Sequence, residues 1–200
     1  SIKVVAIYPG FISNTQLICD RGPIQFTDTT KIISSARKTS WLWNFGDGNT
    51  SNQQNPLHVY NTPGLYNVTL TVGTEFGCSE TVTNTGFIQV IQSPITDINA
   101  NALAVCQEGT IIFQGIETVP DTSILRWSWN FANGQISQLQ NPPAQLYRAP
   151  GIFTVQLITT NSSGCTDTTN QLITINPLPT VVATPDTTIC LGQSVQLNAT

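Results

Sequence analysis

Short stretches in which apolar and polar residues alternate recur along the chain, and they predict β-strands. Tyr66, Val68, Leu70 and Val72 occupy every second position of one stretch, which makes one face of an extended strand apolar. The same alternation returns at Ile24 and Phe26, at Trp41, Trp43 and Phe45, at Ile111 and Phe113, at Trp127, Trp129 and Phe131, and at Phe153, Val155 and Leu157. No window has the long apolar stripe of an amphipathic helix. Gly, Pro, Asn and Asp separate the stretches at intervals of about ten residues, which is typical of an immunoglobulin-like β-sandwich.

The chain also contains an internal repeat of 87 residues. Cys19 recurs as Cys106 and Cys78 recurs as Cys165, each displaced by 87 positions. A unit of this length can bury its own core, whereas solenoid repeats of about 20–50 residues depend on their neighbours. We therefore predict an all-β chain with one sandwich over residues 1–91, a second over 92–176 and the start of a third over 177–200. The linkers are short and contain proline, which predicts limited bending between domains.

Composition narrows the possible partners. Hydrophobic residues make up 40% of the 200 residues, which is enough for packed cores, while charged residues make up only 9%. The net charge of −4 and the absence of a basic stripe exclude nucleic acid as a partner. No apolar run approaches the roughly 20 residues of a membrane-spanning helix, so we expect no membrane insertion in this segment. Ser1 leads directly into a predicted strand, and the chain is expected to be a piece of a longer protein.

Two segments resemble the signature of the PKD (polycystic kidney disease) domain. The sequence WNFGDG at 43–48, followed by HVYNTPGLYNVTL at 58–70, is similar to the family's aromatic strand, Gly-Asp-Gly turn and His-x-Tyr pair. The matching residues, to which the resemblance assigns structural roles, are Trp43, Phe45, Gly46, Asp47, Gly48, His58, Tyr60, Gly64 and Tyr66 in the first unit and Trp129, Phe131, Gly134, Tyr147, Gly151 and Phe153 in the second. The second unit departs from the signature at Ala132-Asn133 and at Gln145, which replaces the histidine. The resemblance implies tandem immunoglobulin-like sandwiches.

The Gly-Asp-Gly segment around Asp47 has two possible interpretations. Asp-Gly and Asn-Gly are the dipeptides most typical of tight hairpin turns, and the second unit has Asn133-Gly134 in this place. A turn therefore explains the segment better than a ligand site does. Asp47, with Asn49 and Asn52 nearby, remains a candidate for calcium, although calcium usually requires several carboxylates. No other cofactor is expected.

The cysteines predict an oxidising, extracellular compartment. Cys19 and Cys78 are separated by 59 residues, and so are Cys106 and Cys165, which favours one disulfide inside each unit. Cys190 would then be a free half-cystine whose partner lies beyond Thr200. The alternative is that the cysteines are buried thiols.

No catalytic constellation is evident, and we predict that the segment is not an enzyme. His58 is the only histidine, its position in the second unit is not a histidine, and there are neither Cys/His clusters for zinc nor paired carboxylates. Trp41 and Trp127 could form a sugar-stacking surface, but filling the core is the more ordinary role for aromatic residues that alternate along a strand.

The Cys-x-Gly and Cys-x-x-Gly unit starts, the Gly-Cys unit ends and the Thr/Asn-rich surface resemble repeats of large surface proteins of gliding bacteria that use type IX secretion. This resemblance implies a non-catalytic, monomeric segment of a gliding-motility-type adhesin at the cell surface. It would act as a stalk or a multivalent adhesive array, and its partners would be a surface polysaccharide or extracellular protein and neighbouring repeats. The leading alternative is an accessory polysaccharide- or protein-binding region of a secreted hydrolase. A dedicated carbohydrate-binding module and a eukaryotic receptor ectodomain, glycosylated at Asn49, Asn67 and Asn161, are further alternatives.

Overall fold

The computed structural model describes residues 4–118, 124–180 and 191, and these residues confirm the all-β prediction. The described ranges contain no helix, and therefore none that is long and apolar enough to cross a membrane. The strands are β1 (Ala6–Tyr8), β2 (Phe11–Ser13), β3 (Leu17–Cys19), β4 (Gly22–Asp28), β5 (Lys31–Ile33), β6 (Lys38–Asn44), β7 (Thr50–Ser51), β8 (Leu57–Tyr60), β9 (Gly64–Thr74), β10 (Ser79–Ile91), β11 (Thr96–Ala100), β12 (Ala104–Cys106), β13 (Thr110–Ile111), β14 (Phe113–Glu117), β15 (Ile124–Asn130), β16 (Ile136–Ser137), β17 (Gln145–Leu146), β18 (Gly151–Asn161) and β19 (Thr166–Asn176).

The described residues form two compact units. The first contains residues 4–95 together with 124–125 and the segment 159–167, and the second contains residues 96–118, 126–158, 168–180 and 191. The segment 159–167, which includes the turn between β18 and β19, thus belongs to the first unit although it comes from the second sequence repeat. Most of the predicted third repeat, including Cys190, lies outside the described residues.

In the first repeat, two sheets enclose an aromatic core. A five-stranded sheet with the order β3-β10-β9-β6-β7 packs against a three-stranded sheet with the order β2-β4-β8, and β1 pairs with β5. Alternate residues of each strand point between the sheets, as the sequence pattern predicts. The buried core residues are Phe11, Ile24, Phe26, Trp43, Phe45, Tyr60, Val68, Leu70, Val72, Ile88 and Val90.

The second repeat has the same strand order. Its five-stranded sheet runs β12-β19-β18-β15-β16, and the strand that corresponds to β4 is divided at Ile112 into β13, which pairs with β17, and β14, which pairs with β11. The core residues are Ile98, Ile111, Phe113, Trp129, Phe131, Tyr147, Val155, Leu157, Ile173 and Ile175. Both repeats are therefore immunoglobulin-like β-sandwiches.

The longest strands place the cysteines of each repeat at opposite ends of one sheet. The short strand β3 pairs in parallel with the end of β10, where Cys19 lies opposite Ile91. In the second repeat, β12 pairs in parallel with the end of β19, where Cys106 lies opposite Asn176. Cys78 comes directly before β10, and Cys165 comes directly before β19. Each therefore lies at the start of a long strand, and the other cysteine of its repeat lies beside the end of that strand.

Candidate functional site

The turn that follows β6 holds a close contact between Asp47 and His58. Gly46 and Gly48 have φ angles of +83° and +91°, a region that favours glycine and permits the tight turn. One carboxylate oxygen of Asp47 accepts a hydrogen bond from the backbone N–H of Asn49 at 3.0 Å. The other lies 2.7 Å from His58 Nε2 and also accepts from the Asn49 side-chain amide at 3.0 Å. The turn is thus fixed to β8 by its own aspartate.

The imidazole of His58 is held among core aromatic rings. It stacks on Phe45 with the ring centres 4.0 Å apart, and it meets the edge of Tyr60 at 4.7 Å. The Tyr60 hydroxyl donates to the Phe45 carbonyl at 2.9 Å, and burial raises the pKa of Tyr60 above its ordinary value. Only 11% of the His58 side chain is exposed. The only histidine of the chain is therefore engaged in the packing of the turn.

The environment of Asp47 favours its charged form. Burial by itself would raise the pKa of this carboxyl, but hydrogen bonds from the backbone and side chain of Asn49 and from His58 act in the opposite direction. Their combined effect holds the pKa of Asp47 below its ordinary value of 3.8. Asp47 is consequently ionised at neutral pH and already paired within the protein.

The second repeat keeps this turn with neutral side chains. Ala132 and Gly134 have φ angles of +59° and +88°, and Asn133 Oδ1 accepts from the Gln135 backbone at 3.0 Å. The amide of Asn133 donates to Gln145 Oε1 at 3.5 Å and to the Leu146 carbonyl at 3.2 Å. The aspartate–histidine pair of the first repeat is therefore replaced by an asparagine–glutamine pair in the same position. Both pairs connect the turn to the opposite sheet.

The residues around Asp47 do not fit a calcium site. Both oxygens of its carboxylate are already used by Asn49 and His58, whereas calcium takes six to eight oxygen ligands that commonly include several carboxylates. No group of three or more His, Cys, Asp or Glu side chains that could hold a metal ion occurs in the described part of the chain.

A second polar cluster surrounds Asp28, whose side chain has no exposed surface. Its carboxylate lies 2.6 Å from Lys38 Nζ and accepts from Trp41 Nε1 at 2.9 Å and from the Thr30 backbone at 2.8 Å. Burial tends to raise the pKa of Asp28, but the hydrogen bonds from Lys38, Thr30 and Trp41 hold it below 3.8. Trp41 is half-buried against the first core, and its indole N–H is occupied by this contact.

Trp127, which corresponds to Trp41, packs against a glycine instead of a carboxylate. Gly115 takes the place of Asp28, and the Trp127 ring lies so close to it that an added Cβ would overlap the ring atoms. Trp127 is half-buried against the second core. The structure therefore places both tryptophans, which we considered for sugar stacking, against the cores of their repeats.

An open groove of about 820 Å³ lies in the second repeat beside the turn that contains Asn133. Its apolar lining includes Ile136, Leu139 and Phe153, and Arg148 contributes a positive charge. Ile136 and Leu139 are 78% and 59% exposed. The corresponding residues of the first repeat, Thr50 and Gln53, are polar, so this exposed apolar pair belongs to the second repeat alone.

The disulfide pairing differs from the prediction. Cys19 is bonded to Cys165 across a sequence separation of 146 residues, with the Cα atoms 5.6 Å apart. Cys78 and Cys106 are free and exposed. The predicted bonds Cys19–Cys78 and Cys106–Cys165 are therefore wrong in this structure, although a disulfide is present. Cys190, predicted to be a free half-cystine, lies outside the described residues.

The length of one strand explains why the cysteines of one repeat do not pair. Cys78 precedes β10 and Cys19 lies opposite its last residue, so the 13 residues of β10 separate them by about 40 Å. The 11 residues of β19 separate Cys165 from Cys106 by about 35 Å. A disulfide requires Cα atoms within about 7 Å. The equal spacing of 59 residues follows from the repeat itself and carries no information about the partner.

The sequence of each repeat also matches one known family. The family described as "PKD domain" matches residues 9–90 and, a second time, residues 91–175. The chain belongs to the PKD domain family. PKD domains are non-catalytic immunoglobulin-like modules, and this agrees with the predictions of fold and of the absence of enzymatic activity.

Known PKD-containing proteins are similar to this chain over short segments. Collagenase ColA of Bacillus cereus is 54% identical over 50 residues, which are 24% of this chain and 5% of that protein. The pre-pro-metalloprotease PrtV of Vibrio cholerae is 31% identical over 112 residues, which are 56% of this chain and 12% of that protein. The crystal structure of the PKD1 domain of V. cholerae PrtV is 26% identical and covers 42% of this chain and 98% of that domain, with a TM-score of 0.37. The chain thus spans a small fraction of the full length of ColA and PrtV.

Two features of this PKD pair were missed by sequence reasoning. The cluster of Asp28, Lys38 and Trp41 has no short motif, because its members come from separate strands. An acidic residue at the end of an alternating apolar strand, ten positions before a lysine, was its only trace in the sequence. The exposed pair Ile136 and Leu139 could have been found by aligning the repeats and noting where polar residues become apolar.

Proposed function

We propose that this PKD pair is a non-catalytic accessory region of a secreted bacterial hydrolase, where it spaces the domains of the parent protein and contacts a polymeric substrate. The observation that carries the proposal is the similarity to segments of Collagenase ColA and PrtV that amount to 5% and 12% of those proteins. In such a protein the chemistry would lie elsewhere in the chain. The disulfide and the low charge support an extracellular setting.

The groove of the second repeat supports a direct contact with the substrate. Single exposed apolar side chains are ordinary, but a group of them that lines one groove is typical of binding surfaces. Ile136 and Leu139 fit this description, since the first repeat forms the same strand and loop with Thr50 and Gln53. The partner would be a polysaccharide or an extracellular protein with an apolar face. Affinity for one such groove would be low, and repetition along a polymer would compensate.

Co-sedimentation with insoluble collagen, chitin and cellulose tests the proposal. We expect the oxidised 200-residue chain to pellet with at least one polymer. The double variant Ile136→Thr with Leu139→Gln, which carries the side chains of the first repeat, should lose most of that binding. Leu172→Thr, which removes another exposed apolar side chain of the same repeat, is the matched control and should bind normally.

Failure to pellet with any of the polymers would contradict the substrate-contact role. Equal binding by the double variant and the wild-type chain would exclude the groove as the contact surface. Circular dichroism of each variant is needed to show that the fold is retained.

A second candidate is the stalk of a cell-surface adhesin, as the resemblance to gliding-bacterial repeats suggested. The bond between Cys19 and Cys165 favours it, because a disulfide that closes 146 residues protects a chain from extension under load. A stalk would not need to bind any polymer. A chain that resists extension but binds none of the three polymers would favour this candidate over the first.

A further inference from the structure

The cysteines at the start of the two repeats are structurally equivalent. Cys19 ends β3 opposite Ile91, and the residue after it, Asp20, donates its backbone N–H to the Ile91 carbonyl at 2.6 Å. Cys106 ends β12 opposite Asn176, and Gln107 donates to the Asn176 carbonyl at 2.8 Å. The two cysteines therefore occupy equivalent positions at the edge of the five-stranded sheet of their own repeats. We call them the start cysteines.

The cysteines that follow the Gly of each Gly-Cys pair are equivalent as well. In the turn before β10, the Thr74 N–H donates to the Cys78 carbonyl at 2.9 Å and the Gly77 N–H donates to the Thr74 carbonyl at 3.0 Å. In the turn before β19, the same bonds join Asn161 to Cys165 at 2.9 Å and Gly164 to Asn161 at 3.0 Å. We call Cys78 and Cys165 the turn cysteines.

The bonded pair joins the start cysteine of one repeat to the turn cysteine of the next. Cys165 is 1% exposed in this bond, whereas the equivalent Cys78 is exposed and unpaired. Cys106 is likewise unpaired and exposed, although its strand pairing matches that of Cys19. Pairing within one repeat is prevented by the length of the strand between the two positions. Each free thiol thus occupies a position that takes part, in the other repeat, in the bond between repeats.

We propose that Cys78 and Cys106 form disulfides with neighbouring PKD repeats of the same polypeptide. Cys106 pairs with the turn cysteine of the repeat that follows, and Cys78 pairs with the start cysteine of the repeat that precedes. The sequence around Cys190, TTICLGQSVQLNAT, provides the opening of a following repeat. Successive bonds then overlap along the chain, because the loop from Cys19 to Cys165 already contains both Cys78 and Cys106.

The chemistry of each new bond is an ordinary thiol–disulfide exchange. Two thiols lose two protons and two electrons to form one S–S bond, and a disulfide oxidant such as oxidised glutathione takes them up and becomes two thiols. The exposure of Cys78 and Cys106 leaves both accessible to such an oxidant. Overlapping bonds would leave no complete repeat of the array free to extend under load.

The first test is a thiol map of the 200-residue chain after refolding in a glutathione buffer in which the reduced form is in excess, so that exposed thiols do not stay capped by glutathione. We expect a cross-linked peptide that contains Cys19 and Cys165, and full alkylation of Cys78 and Cys106 by iodoacetamide. A cross-link between Cys19 and Cys78, or between Cys106 and Cys165, would overturn the proposal at this stage. The expected map is the reference for the extended chain.

The decisive test extends the array by one repeat. Residues 177–200 are replaced by a second copy of residues 91–176, and that copy carries Thr166→Ser so that its turn peptide is distinguishable by mass. We expect Cys106 to change from fully alkylated to cross-linked with the turn cysteine of the copy. The Cys19–Cys165 peptide should be retained, which shows that the original repeats still fold.

A second chain, extended by one repeat at its N-terminal side, tests Cys78 independently. A copy of residues 4–90 precedes residue 4, and we expect Cys78 to be linked to the start cysteine of that copy.

The matched control for the first extension is Cys106→Ser, which should leave the added turn cysteine open to alkylation. Continued alkylation of Cys106 and Cys78 in chains that retain the Cys19–Cys165 bond, or a Cys78–Cys106 cross-link, would refute the proposal.

Discussion

Asp47 and His58 of the first repeat lie 2.7 Å apart, and Asn133 and Gln145 occupy the same two positions in the second repeat at 3.5 Å. One turn is thus fixed by a charged contact and the other by a neutral one, while the fold stays the same. A histidine in contact with a carboxylate is an arrangement that also occurs in catalytic sites. The paired substitution shows that the contact connects a turn to a strand.

The Asp47–His58 contact is expected to contribute to stability as a pair. Asp47→Asn and His58→Gln should each lower the free energy of unfolding of the first repeat by about 1–2 kcal/mol, because each leaves a polar partner nearly buried and unpaired. The double variant should cost less than the sum by about 1 kcal/mol, since it recreates the pair of the second repeat. Urea denaturation of all four chains measures this coupling.

The matched control for that cycle is the pair Arg148 and Glu108. Their charged atoms lie 3.6 Å apart, but both side chains are mostly exposed, and we expect a coupling near zero. Strict additivity of Asp47→Asn and His58→Gln would contradict the role given to their contact.

Acid is expected to destabilise the first repeat through Asp47 and Asp28. The pKa of each carboxyl is below 3.8 in the folded chain, because its hydrogen bonds outweigh the effect of burial. The unfolded chain therefore takes up protons at a higher pH than the folded chain does. The stabilisation is fully present above about pH 4 and is lost as the pH falls through the folded pKa values.

Thermal melts between neutral pH and about pH 2.5 measure this dependence. Asp47→Asn with His58→Gln should flatten the acid dependence of the first repeat, while the transition of the second repeat serves as the internal reference. An unchanged slope in the double variant would show that Asp47 does not contribute.

Gly115 is expected to tolerate no side chain while Trp127 is present. Gly115→Ala places a methyl group against the indole ring and should lower the stability of the second repeat by about 1–3 kcal/mol. In a Trp127→Ala background the same substitution should cost little, because the ring that it meets is gone. Equal costs of Gly115→Ala in both backgrounds would place the effect in the backbone instead.

The Cys19–Cys165 bond is expected to limit extension under force. Pulling on both ends of the oxidised chain should leave the residues between these cysteines unextended, since the load passes through the disulfide. Addition of a reductant should release about 480–530 Å of extra contour length, which corresponds to the separation of 146 residues. Single-molecule force spectroscopy measures this length, and Cys19→Ser should show it without reductant. An oxidised chain that extends fully would contradict the pairing.

The fold was largely predictable because its information is local. Alternation along β6 and β15 correctly predicted that Trp43, Phe45, Trp129 and Phe131 are core residues. The repeated turn residues predicted two turns of the same shape, and both have positive φ at the same two positions, Gly46 and Gly48 in the first repeat and Ala132 and Gly134 in the second. The contacts of Asp28 could not be predicted, because Lys38 and Trp41 reach it only after two strands of different sheets have packed together.

The sequence alone determined the β-sandwich, the repeat and the PKD signature. Each of these features depends on the type and spacing of residues that can be read directly along the chain. Only the tertiary structure decided which cysteines pair. Every repeat reproduces the same spacing between its own cysteines, so spacing cannot distinguish a bond inside a repeat from one that joins two repeats. The length of β10, which keeps Cys19 about 40 Å from Cys78, makes that distinction.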